Sequence, residues 1–199
     1  MQKNQSTKVD LLELAANDAM EPELEVVRLG QDEKAIILFS SETETIDIHF
    51  CSESEINGYT VCNGPGCVLC RIGRKKDQRL LLPVYLPAEG QIGVLPVSRS
   101  RRPFALLPQL LNVLKAETPL VMFVSRNGAK YSVSTSELGK DIDGGEATIK
   151  QFQEDYEAGR KDLTSVYPKI DNDQLAGIEE IARMMTLKGI QINAGDQRS

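Results

Sequence analysis

A turn-rich stretch near the middle of this chain, residues 49–79, holds the only histidine and all four cysteines but few apolar side chains. Such a stretch cannot build its own hydrophobic core, so something else must hold it. The spacing His49-x12-Cys62-x4-Cys67-x2-Cys70 suits a structural zinc, which takes four soft or borderline donors in a tetrahedron. Cys67-Val-Leu-Cys70 offers two thiolates from one tight knuckle. Cys62 precedes it across a Gly-Pro-Gly turn, and His49 would come from the polar face of the preceding strand. Cys51 competes with His49, because both share that face two residues apart, and an all-cysteine set of Cys51, Cys62, Cys67 and Cys70 also has workable spacing. The plain alternatives are buried free cysteines and a redox-active CxxC. A catalytic zinc is not expected. It needs an open coordination position and a general base, and only Glu53 and Glu55 lie close by, outside any catalytic motif. The start, MQKNQSTKVD, carries no apolar signal segment, so a cytoplasmic setting is expected, and disulfides are not.

Regular structure is expected on either side. Leu24–Leu29 and Lys34–Phe39 read as strands joined by a turn at residues 30–33. Thr43–Cys51 alternates, with Ile46, Ile48 and Phe50 on one face and Asp47, His49 and Cys51 on the other. Leu80–Leu86 and Ile92–Val97 read as a strand pair, with Pro83 and Pro96 marking edges or bulges. Residues 104–115 have helical spacing, with Pro108 implying a kink or a start. Two further strands flank Asn127–Gly128, a strong hairpin signal. Beyond residue 137, Ile149, Phe152 and Tyr156 form one apolar stripe and Leu175, Ile178, Ile181, Ala182 and Met185 another, so two helices are expected around a polar linker. The class is mainly β within an α+β whole. The expected architecture is an OB-fold-like antiparallel barrel with a zinc-binding loop and C-terminal helices, and an open α+β sheet is the alternative. Residues 1–22 read as a flexible arm, 23–136 as the core with its zinc subdomain at about 49–79, and 137–199 as an acidic helical segment.

The net charge of −6 hides an asymmetry. Residues 1–48 carry 4 basic and 11 acidic side chains, residues 49–136 carry 11 and 5, and residues 137–199 carry 8 and 13. A basic middle in an acidic protein points to an anionic partner. Arg71, Arg74, Lys75, Lys76 and Arg79 follow the knuckle, Arg99, Arg101 and Arg102 lie in the SRSRRP stretch, and Arg126 and Lys130 flank the hairpin turn. At the ends of barrel strands these residues would neutralise phosphates. Tyr59, Tyr85 and Tyr131 are candidates to stack on unpaired bases, whereas Phe104 and Phe123 sit in apolar runs and read as core.

The zinc spacing resembles that of the single-stranded-DNA-binding proteins of T-even bacteriophages and related phage proteins. The similarity continues through the basic loop, the apolar strand RLLLPVYL, the apolar segment FALLPQLLNVL and the hairpin VMFVSRNGAKYSV. This resemblance implies an OB-fold carrying structural zinc on His49, Cys62, Cys67 and Cys70. It implies largely sequence-independent single-stranded DNA binding in replication, recombination or repair, in a prokaryotic or phage-infected cell. The chain departs from that family in a shorter Cys62–Cys67 interval and in an acidic rather than basic N-terminal region. A non-enzymatic binding protein is therefore expected, with replication or recombination proteins as partners for the C-terminal segment. The alternatives are a zinc-stabilised adaptor, which would expose the stripe at Leu175, Ile178 and Met185, and an RNA-binding OB-fold. An acidic C-terminal segment could also cover the basic groove.

Overall fold

A computed structural model describes residues 24–40, 42–115, 120–137 and 145–191. The expected arm at 1–22 and the tip at 192–199 lie outside them. The protein is a mixed α+β molecule built on one curled, eight-stranded sheet. Its strands are β1 (Glu25–Val26), β2 (Lys34–Leu38), β3 (Glu44–Cys51), β4 (Gly58–Val61), β5 (Lys76–Leu86), β6 (Gln91–Ser98), β7 (Leu120–Asn127) and β8 (Lys130–Glu137). The order across the sheet is β1-β6-β5-β2-β7-β8, and β3 pairs with both β4 and β5.

β5 is the spine. It pairs along its length with β6, from Arg79↔Ser98 to Leu86↔Gln91. On its other edge the first half pairs with β3 and the far end with β2, at Leu38↔Val84 and Ile37↔Tyr85. Pro83 falls opposite the break between β2 and β3, where a missing N–H leaves no ladder bond unmade. Pro96 lies past the point where β1 covers the edge of β6. Every residue from Leu81 to Leu86 is buried, because both faces of β5 are covered.

The first two expected strands both form, the first shortened to Glu25–Val26, but they do not pair with each other. β1 runs parallel to β6, at Glu25↔Gly93 and Val26↔Val94, while β2 lies between β5 and β7. Both edges of β2 are thereby used, which leaves no room for a hairpin with β1. Gly93 permits the close approach, since a Cβ there would stand 2.6 Å from Val27 Cγ2. The β7–β8 hairpin forms as expected around Asn127 and Gly128, the latter at φ +60.

The helices are α1 (Val68–Arg71), α2 (Leu106–Val113), α3 (Gly145–Glu157), α4 (Asn172–Gly177) and α5 (Glu179–Leu187). Pro108 falls in the first turn of α2, where its missing N–H costs nothing. α2 seals one core with Leu106 and Leu110 against Ile36, Leu82, Leu95 and Met122. α3 places Phe152 on a second core with Ile46, Ile48 and Leu81. The expected last helix is broken at Ile178 (φ −75, ψ 123) into α4 and α5. Its apolar stripe is not exposed: Leu175 and Ile181 are fully buried and Met185 is 7% exposed, in a third core with Val68, Leu69 and Ile72 of the cysteine loop. No helix among the described residues is long and apolar enough to cross a membrane.

Candidate metal centre and nucleic-acid interface

His49 lies in the middle of the β3–β4 ladder, paired with Thr60, and is fully buried. Its Nδ1 is 3.1 Å from the Lys75 carbonyl, so Nδ1 carries the proton and donates, and Nε2 keeps its lone pair. That Nε2 stands 3.3 Å from Cys70 Sγ and 3.7 Å from Cys67 Sγ, and Cys62 Sγ is 3.6 Å from Cys70 Sγ. The four donor atoms of His49, Cys62, Cys67 and Cys70 all lie within 4.8 Å of one another. Two thiolates on one tetrahedral ion stand about 3.8 Å apart at a metal–sulfur distance of about 2.3 Å, so the cluster has the dimensions to hold a metal ion. Cys51 is buried but stands outside this group, in the apolar core with Val68 and Leu175. Two residues along a strand is about 6.6 Å of travel, too far to share the vertex. Burial pushes the Cys62 thiol up and Cys70 to about 12, and it lowers His49. Buried thiols of this kind become thiolates only when a cation compensates them.

The loop geometry follows from its small residues. A 3-10 turn at Gly64–Gly66 leads into Cys67, whose N–H donates to the Gly64 carbonyl, and α1 then carries Cys70 round. Gly73, at φ +86, ends the turn, and Arg74 reaches back to pair with Glu53, which is 1% exposed. Asn172 ties the loop to the C-terminal region: its Oδ1 accepts from the Val68 N–H at 3.0 Å and its Nδ2 donates to the Gly66 carbonyl at 3.3 Å.

A second feature lies where, among the described residues, no strand pairs with the edge of β6 beyond Val94. Two adjoining hollows of about 500 and 370 Å³ share Arg79, Pro96, Arg126 and Tyr131. Arg28, Phe50, Tyr59 and Tyr167 line the first, and Arg102, Phe104 and Lys130 the second. No carboxylate lines either hollow among the described residues. Cations lie over rings throughout: Arg79 over Tyr59 at 5.9 Å, Arg126 over Tyr131 at 5.6 Å and Lys130 over Phe104 at 5.4 Å. Arg79 pairs with Asp77 at 2.5 Å, and its Nε–H has no hydrogen-bond partner among the described residues. Phe50 and Phe104 are 55% and 60% exposed, unusual for rings with no polar atom.

Of the residues expected to contact nucleic acid, this groove gathers Tyr59, Arg79, Arg102, Arg126, Lys130 and Tyr131. Arg101 is exposed in the loop beside Arg102. Others are placed elsewhere or engaged. Arg74 is tied to buried Glu53, Lys76 to Asp47 at 2.8 Å, and Arg99 to the Gln78 side chain. Arg71 and Lys75 sit on the cysteine loop, away from both hollows. Tyr85 is 3% exposed within the sheet, so its ring is closed to a base. Phe104, expected in the core, is on the surface, while Phe123 is half-buried. Arg28, Phe50 and Tyr167 carried no sequence signal as groove residues. Phe50 alternates in step with Ile46 and Ile48, but its position lies where β3 runs past the packed core.

The chain matches no family model, no curated protein and no solved structure. Fold and site define a β-rich α+β protein with two features: a cluster of one histidine and three cysteines able to hold a metal, and a cationic, aromatic groove.

Proposed function

We propose that this protein binds single-stranded DNA, without enzymatic activity and with little sequence preference, along the groove at the edge of β6, and that a structural zinc sits on His49, Cys62, Cys67 and Cys70. The groove carries the reading: exposed rings flanked by cations, with no carboxylate among the described lining residues. Rings stack only on bases that are unpaired, and the cations neutralise phosphates between them. Zinc suits three thiolates and one imidazole and would supply the positive charge that holds the thiolates and closes the loop. The connectivity supports an OB-fold: β2 and β3 act as one interrupted strand beside β5, β5 and β6 complete a meander, α2 follows, and β7 returns to pair with β2. The resemblance to the phage single-stranded-DNA-binding proteins supports DNA as the ligand and replication, recombination or repair as the setting. The adaptor alternative is weakened, because the stripe it needed exposed packs on the cysteine loop.

Fluorescence anisotropy with labelled oligo-dT, an RNA of the same length and duplex DNA, at several salt concentrations, tests the proposal. Oligo-dT should bind most tightly, with log K falling by about 0.7 per phosphate neutralised per decade of salt. Replacing both Arg126 and Lys130 by Ala should weaken binding and shallow that slope by about 1.4. No binding to any of the three at low salt would overturn the proposal, and preferential RNA binding would reassign the ligand.

A further inference from the structure

We propose that Tyr167 is a base-stacking residue of the groove, carried there by a strap of C-terminal chain that the cysteine loop pins down. The inference rests on reading the groove as a single-strand site. The Tyr167 ring lies 6.1 Å from that of Tyr59 at 69°, and Tyr59 lies 5.3 Å from Phe50 at 66°. Edge-to-face contacts of this kind support each ring without covering it. Phe50 and Tyr59 stay 55% and 38% exposed, and Tyr167 is half-buried and lines the same hollow. Three rings therefore stand in a row along one wall, with the Arg79 guanidinium over the middle one. Successive bases need such a row, and a phosphate between them needs the cation.

The backbone fixes Tyr167 in place. It precedes Pro168 and sits at φ −116, ψ 133, the extended conformation a following proline favours. The Pro168 carbonyl accepts from the Val61 N–H at 3.0 Å and from the Thr60 hydroxyl at 2.9 Å. Further on, Asn63 Nδ2 donates to the Ile170 carbonyl at 2.8 Å, and Asn172 then grips the cysteine loop. The strap runs from the groove across β4 to the cysteine cluster, and on its N-terminal side Leu163 anchors it in the core with Ile46, Ile48 and Leu81, so Tyr167 is held from both ends.

The chain's five tyrosines and lack of tryptophan give a direct optical test. Only Tyr59, Tyr131 and Tyr167 line the groove; Tyr85 is buried and Tyr156 donates to Glu44 elsewhere. The unsubstituted protein, Tyr167→Phe, Tyr167→Ala and Tyr156→Phe would be titrated with labelled oligo-dT by anisotropy and by tyrosine fluorescence. Binding should quench the wild-type emission. Tyr167→Phe should bind within about twofold but with a smaller quench, and Tyr167→Ala should bind about tenfold more weakly. Tyr156→Phe should keep the full quench. Should Tyr167→Ala fail to fold, the Tyr167→Phe quench decides alone. A wild type that binds, with Tyr167→Ala equally tight and Tyr167→Phe equally quenched, would overturn this inference and leave the groove reading standing. A wild type that binds none of the oligonucleotides would bring down both.

Discussion

At position 49 the two ring nitrogens have different duties: Nδ1–H is given to the Lys75 carbonyl, and Nε2 faces the thiols. Cys51, two residues on, is equally buried, yet it is not among the residues whose donor atoms cluster. Cys51 and the clustered cysteines are thus separable by substitution. Cys70→Ser should lose the proposed zinc, measured as zinc per chain, and lower the melting temperature, while Cys51→Ala should keep a full equivalent of it. Arg74 illustrates how a residue type misleads without its partner. Its guanidinium, 38% exposed, pairs with a carboxylate that is 1% exposed, so Arg74→Ala should cost about 1–3 kcal/mol of stability by leaving that carboxylate without its partner, with no change in the salt dependence of the proposed DNA binding. Tyr156 brings a pH dependence. Burial, and then the hydrogen bond to Glu44, push its phenol from its ordinary value near 10 up to about 12. The folded state therefore favours the neutral phenol, so its contribution is present below pH 10 and is lost as pH rises from 10 toward 12. Tyr156→Phe should show a shallower fall in stability across that window in alkaline denaturant melts.

Elements became readable in proportion to how local their causes are. The Asn127–Gly128 hairpin and the cysteine knuckle each need a few neighbouring residues, and both formed where the sequence placed them. The spine β5 was legible too, as an unbroken apolar run around a proline that a neighbouring break accommodates. β1 was not, since its parallel pairing with β6 depends on Gly93 nearly seventy residues away in the chain. The groove was half legible. The cations of the hairpin and the SRSRRP stretch announced themselves, but Phe104 reads as core in any local window and is 60% exposed, with Lys130 over its ring. The break at Ile178 was hidden for the opposite reason. Leu175, Ile181 and Met185 keep their helical spacing across it, because both short helices press the same face onto the loop. That joint is energetically substantial. Leu175→Ala should cost about 2–5 kcal/mol, and removing the Asp171 cap, whose carboxylate accepts from the Gln174 N–H at 2.7 Å, about 1 kcal/mol. Chemical denaturation with metal bound would measure both.

The described residues form three apolar cores, and one of them is built around the cysteine loop. The sheet core under α2 draws on β2, β5, β6 and β7, and owes nothing to the cysteines. The loop core joins α1 to α4 and α5, and without a cation its buried thiols would revert to neutral groups around an empty centre. The two should therefore open separately. A thiol-reactive chelation protocol that strips the metal should remove amide hydrogen-exchange protection from residues 60–74 and 168–190, while β5, β6 and the β7–β8 hairpin keep theirs. Affinity for oligo-dT should fall only in part, because Tyr167 loses the loop's hold on its strap but keeps the anchor of Leu163 in the core with Ile46 and Leu81. The same coupling fixes the outcome of deleting residues 137–199. Were the acidic C-terminal segment a cover for the groove, the deletion would tighten binding. What reaches the groove among the described residues, however, is Val166, Tyr167 and Pro168, none of them acidic, and α4 and α5 are the described helices packed on the loop core beside α1. Deletion should weaken binding and lower zinc affinity together. A deletion that kept its zinc and bound more tightly would mean that the segment competes with the strand rather than supporting it.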